Sequence, residues 1–167
     1  MRYTALFVLL VLGTSAFGSH QCPNSDITKV DIKNLEIASD SQEKLKFKSG
    51  IATSKIDEGQ KAPEFEYTIE KDEWAEPLPG LKLLVLTINK NHLRGSGNYN
   101  IFTVLNCENG HVKVAWPTTA INSLKVTGRK IEYEILGDDH SSQLPGPGKR
   151  FILEWNPTSN GLTKKTQ

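Results

Sequence analysis

Two cysteines, one methionine and no surplus of either charge mark what this 167-residue chain has little of. Each shortage excludes something. A pair of cysteines cannot build the multiply bridged scaffold of a small disulfide-rich secreted domain. Twenty basic residues face nineteen acidic ones, and no basic stripe runs along the chain. Phosphate neutralisation dominates nucleic-acid affinity, so no nucleic-acid partner is expected. Apart from the first residues, no apolar run approaches the roughly 20 residues that cross a bilayer as a helix, so no membrane span is expected. The P-loop ending, the Gly-x-Ser-x-Gly elbow and the His-Glu-x-x-His helix are also missing, and Asn156-Pro157-Thr158 is spoiled as a glycosylation site by its proline.

The first eighteen residues carry the clearest signal. A short basic start, Met1-Arg2-Tyr3, precedes the apolar stretch Ala5–Leu12, and Ala16-Phe17-Gly18 sets small residues before Ser19. This three-part layout predicts a secretory signal peptide over residues 1–18 and a mature chain that begins at Ser19. Losing Arg2 brings the mature chain to formal neutrality. Its length suits one domain, expected over residues 19–160 and followed by a frayed polar tail over 161–167. In an oxidising compartment Cys22 and Cys107 most simply pair with each other.

Period-two patterns dominate the rest, so the expected fold is all-β: an antiparallel sandwich of about eight short strands. Val30 and Ile32 alternate with Asp31 and Lys33, and Leu35 and Ile37 then change parity, as at a bulge. Phe65, Tyr67 and Ile69 alternate with Glu66, Thr68 and Glu70, the pattern of a half-buried strand. Leu83–Ile88 is apolar on both parities and predicts a central strand covered on both faces; Tyr99–Cys107 is similarly dense. Asn109-Gly110 predicts a tight hairpin, and Thr127-Gly128-Arg129 a second. Glu70–Gly80, with Trp74 and two prolines, is expected as a loop, as is Gly137–Gly148. Ile121–Val126 offers one short helical possibility.

Candidate chemistry is sparse. Asp138-Asp139-His140 has the residue types of a divalent-cation site or a general base, yet the same residues suit a solvated turn after a strand. His92, His111 and His140 would make an acid–base or zinc constellation only if two of them converged with a carboxylate; that is the route to a secreted hydrolase such as a ribonuclease. Arg94-Gly95-Ser96-Gly97-Asn98 and Pro145–Lys149 read as hairpin loops, because no helix follows to receive a phosphate. Trp116 and Trp155 suit core positions at strand ends. Trp74 differs, because it stands among Asp72, Glu73 and Glu76, where its own segment does not bury it. Such a tryptophan either folds back over the edge of the sandwich or stays exposed as a binding anchor.

Cys22–Val30 and Gly97–Leu105 resemble, respectively, the opening and a late strand of lipid-recognition domains of the ML class. That resemblance implies an immunoglobulin-like sandwich whose sheets part around a lipid, although those domains usually carry several disulfides. Taken together, the sequence points to a small, secreted, non-enzymatic β-sandwich that binds a protein or glycan outside the cell, as an effector-like or surface-interaction module. Trp74 and Asp138-Asp139-His140 are its candidate contacts, and no metal or cofactor is expected. The alternative is an extracellular carrier of a lipid or other small ligand, in which Leu83–Ile88 and Tyr99–Leu105 would line a pocket.

Overall fold

A computed structural model describes residues 21–38, 44–54, 65–93, 97–135 and 148–167. Eleven antiparallel strands make up most of it: β1 (Glu36–Ala38), β2 (Lys44–Lys46), β3 (Ile51–Thr53), β4 (Phe65–Leu78), β5 (Leu81–His92), β6 (Asn98–Glu108), β7 (His111–Ile121), β8 (Ser123–Thr127), β9 (Lys130–Ile135), β10 (Lys149–Asn156) and β11 (Gly161–Thr166). They form a five-stranded sheet of order β3-β4-β5-β6-β7, a four-stranded sheet of order β11-β10-β9-β8, and a β1-β2 hairpin. The expected all-β sandwich is therefore present, with more strands than the sequence pattern separated.

Strand β5 explains the layering. Leu83 and Val85 point into one apolar cluster with Phe102, Val104, Ile131, Tyr133, Phe151 and Leu153, between the two large sheets. Leu84, Leu86 and Ile88 point the opposite way, into a second cluster with Ile27, Leu35, Ile37, Leu45 and Phe47 of the N-terminal segment. A strand apolar on both parities is what a doubly covered position requires. The N-terminal segment is thus a third layer, a cap over the outer face of the five-stranded sheet. Cys22 and Cys107 are bridged with Cα atoms 6.0 Å apart. Beside that bridge, the Cys22 N–H donates to the Gly110 carbonyl at 2.8 Å.

The hairpins follow their turn chemistry. Asn109 and Gly110 both take positive φ, 52° and 78°, as a type I′ turn demands. Thr127 pairs with Lys130 across the second expected turn. A third was not anticipated: Leu78 pairs with Leu81 around Pro79-Gly80. Pro in the first central position and Gly80 at φ 81° match a type II turn.

Four expectations are corrected. Glu70–Gly80 is not a loop, because Glu70–Leu78 continues β4 against β5, with bulges between Ile69 and Lys71 and between Ala75 and Leu78. Pro77 falls within the second bulge, where it has no partner in the β5 register, a position at which sheets tolerate proline. Ile121–Val126 is not a helix; it is the end of β7 and most of β8. The tail is β11, paired with β10 from Phe151↔Thr166 to Asn156↔Gly161. Finally, Val30 and Ile32 lie at two 3-10 turns, Ile27–Lys29 and Ile32–Asn34, rather than in a strand. Their starts are capped by the carboxylates of Asp26 and Asp31, which accept the N–H groups of Thr28 and Lys33.

Asp26 also accepts the Thr28 hydroxyl at 2.7 Å, and these two bonds hold its pKa below the usual carboxylate range. A depressed carboxyl stabilises the fold above its unfolded pKa, and the gain is lost as pH falls through the folded value. Asp26→Asn should therefore lower the melting temperature slightly at pH 7. The gap to wild type should close below about pH 4, which a pH series of melting curves checks.

Candidate functional site

The exposed side of β4 begins with its pairing. On one edge β4 pairs with β5 along its length; on the other, β3 covers only Glu66, Tyr67 and Thr68. The Ile69 N–H donates to the Gly50 carbonyl at 3.0 Å and ends that contact. From Glu70 onward no strand among the described residues pairs with this second edge.

Alternation along this stretch is sharp. Ala75 and Pro77 are buried, whereas Asp72, Trp74 and Glu76 are exposed. Asp72 and Trp74 lie opposite Leu86 and Leu84, so they share the face that the N-terminal cap covers elsewhere. The cap does not reach them: Trp74 retains 42% exposure. The neighbouring charges are already engaged. Lys71 forms an ion pair with Glu73, and Glu70 Oε1 accepts the Asn89 amide at 2.8 Å. No basic residue among those described pairs with Asp72 or Glu76. Among the described residues the indole thus has two carboxylates without a basic partner on its own strand, Asp72 about 7 Å before it and Glu76 two residues after it, at the second bulge. This arrangement favours a cation, since the indole face and both carboxylates attract positive charge.

The opposite face of the same sheet carries a different chemistry. Asn91 and Asn98, and Asn89 and Asn100, face each other across β5 and β6, with Glu66 and Thr68 beside them on β4. This amide-rich patch adjoins a cleft of about 250 Å³ at the free edge of β8, lined by Glu70, Lys71, Thr87, Asn100, Asn122 and Ser123. Among the described residues the buried Asn89 side-chain carbonyl has no hydrogen-bond partner.

A third cluster lies at the far end of the cap-side core. Tyr67, Lys90 and Tyr99 are in register across three strands. The Lys90 ammonium sits 3.9 Å from the Phe65 ring centroid and 5.3 Å from those of Tyr67 and Tyr99. Burial alone would lower its pKa; hydrogen bonds with Tyr99 and Tyr67 outweigh that, and the net shift is upward. His92 stacks on Phe65 at 4.9 Å. These contacts make the lysine a cationic lid on the end of the apolar core.

The histidine constellation does not assemble as one group. His92 follows the Asn91↔Asn98 pair, whereas His111 pairs with Glu108 at the other end of β6. Ten strand steps at about 3.3 Å each put them roughly 30 Å apart. Asp138, Asp139 and His140 lie outside the described residues, as do His20 and most of the Gly137–Gly148 loop. Among the described residues, no group of three or more metal-ligating side chains occurs, and no helix is long and apolar enough to cross a membrane. Trp116 and Trp155 are half-buried; Trp155 does stand at the end of β10, before the Pro157 turn, whereas Trp116 lies in the middle of β7 rather than at its end. Trp74 stands out in the sequence as an aromatic among charges, but the surface it shares with Asp72 does not, because the segment reads as a loop and is a strand. The chain matches no protein-family model, no curated protein and no solved structure.

Proposed function

We propose that this chain is exported and acts outside the cell by binding, without catalysis, a protein that presents a basic surface to β4. One observation carries this: Trp74 is exposed near Asp72 and Glu76, which no basic residue among those described pairs with, on a strand held in register by β5. A large aromatic on a fixed strand offers contact area at little entropic cost, the usual character of a binding hot spot. The Cys22–Cys107 bridge suits the oxidising compartment that the Met1–Gly18 leader addresses.

The amide-rich patch beside the β8 cleft favours a second reading, a glycan. Asparagine side chains donate and accept together, as sugar hydroxyls require. The carrier alternative draws less support. Its expected pocket would be lined by Leu83–Ile88 and Tyr99–Leu105, and most of those side chains lie in the two filled clusters.

The test probes arrays of extracellular proteins and glycans with the labelled mature chain, Ser19–Gln167. Trp74→Ala should reduce the protein signal at least tenfold. Its melting temperature should stay near wild type, because the side chain is exposed. An undiminished protein signal overturns the reading. A glycan signal that survives Trp74→Ala and is lost in Asn100→Ala would transfer the function to the cleft.

A further inference from the structure

We propose that the free edge of β4 receives one extended, basic segment of the partner as an added strand, with Trp74, Asp72 and Glu76 reading its side chains. This rests on the binding function proposed above and specifies how the partner docks.

The edge has definite limits. At its start, the Ile69 N–H is taken by the Gly50 carbonyl. At its end, Pro77 has no N–H to give. Between them, Glu70–Glu76 offers seven residues of backbone with β5 on one side and no strand among the described residues on the other. That matches the usual length of a single strand. In strand addition the main chain supplies affinity, while alternate side chains supply selectivity. Here Asp72 and Trp74 lie on the cap side and Glu76 follows at the second bulge, all three exposed.

Charge chooses the occupant. A second copy pairing β4 against β4 would bring these carboxylates toward one another, and like charges directly opposite oppose strand pairing. Charged residues and a proline are also the devices that keep an edge from self-association. A partner segment with Lys or Arg at alternate positions meets none of this repulsion. Its cations would face Asp72 and Glu76, and its middle side chain would lie across the indole.

The test uses the ¹⁵N-labelled mature protein and two ten-residue probes, one alternating Lys and Thr and the other alternating Glu and Thr. Amide hydrogen exchange is followed by NMR. The Lys probe should slow exchange of the outward-pointing amides of Glu70–Glu76 at least tenfold at saturation and leave the β7 and β11 edges unchanged. The double variant Asp72→Lys, Glu76→Lys should reverse the preference toward the Glu probe. Strand addition is overturned by no protection at millimolar probe, by equal protection from both probes, or by protection confined to another edge. A probe-free dimer whose β4 amides are already protected would assign the edge to a second copy and overturn it too. If Trp74→Ala abolishes array binding while no β4 amide is protected, side-chain docking stands and strand addition falls. If array binding ignores Trp74, both fall.

Discussion

Replacing Cys22 by serine should lower the melting temperature by about 8–20 °C while leaving the β-type circular dichroism spectrum in place. The bridge joins residues 85 apart. In the chain-entropy account, closing a loop of that size removes about 4–5 kcal/mol of freedom from the unfolded state. For a domain of this size, each kcal/mol moves the midpoint by about 2–4 °C. The native cost should be local. The cap keeps the Cys22–Gly110 hydrogen bond and the burial of Ile27, Leu35, Ile37, Leu45 and Phe47, each at most 2% exposed. Cys107→Ser and the double variant should melt with Cys22→Ser, because each removes the same cross-link. Reductant should produce the same shift in the wild type and none in the variants. A wild-type melting curve indifferent to reductant would show that the N-terminal layer is held by packing alone.

The apolar run of β5 was legible because its burial on both faces leaves no polar parity to dilute the signal. The Asn109-Gly110 and Thr127-Gly128 hairpins were legible because their turns demand particular residues. The second half of β4 was not. Glu70-Lys71-Asp72-Glu73 has poor intrinsic strand preference, yet pairing with β5 overrides it, and Pro77 falls at a bulge, where proline does not end a strand. Pro79-Gly80 held the missing cue: a type II turn two residues long implies strands on both sides. Asp26 and Asp31 likewise marked the 3-10 turns that interrupt the alternation of Val30 and Ile32. The β11 tail misled by composition, since the Lys164 and Lys165 that make it look disordered also suit an exposed edge strand. At the candidate site, Trp74 stood out in the sequence as an aromatic among charges. Its face did not, because the bulge after Ile69 sets which parity of β4 points outward, and a bulge depends on the partner strand.

Phe102→Ala offers the sharpest separation of a packed core from a ligand chamber. Phe102 is fully buried, with its ring 4.9 Å from that of Tyr133, which lies 5.4 Å from Phe151. These three rings tie β6 to β9 and β10, so they join the two large sheets. Burial also pushes the Tyr133 phenol pKa upward, as an apolar setting does. In a filled core, truncating such a ring should cost about 3–5 kcal/mol, from lost transfer energy and the cavity left behind. At the same conversion the midpoint falls by about 6–20 °C. In a carrier, the side chain would line space meant for a guest, and its removal would cost far less and enlarge the chamber. Leu86→Ala makes the same comparison beneath the cap, where Leu86 is fully buried, with about 2–5 kcal/mol expected. Chemical denaturation of both variants decides it. Two large losses place recognition on the outside of the sandwich, where Trp74 stands; two small ones would reopen the space between its layers to a lipid.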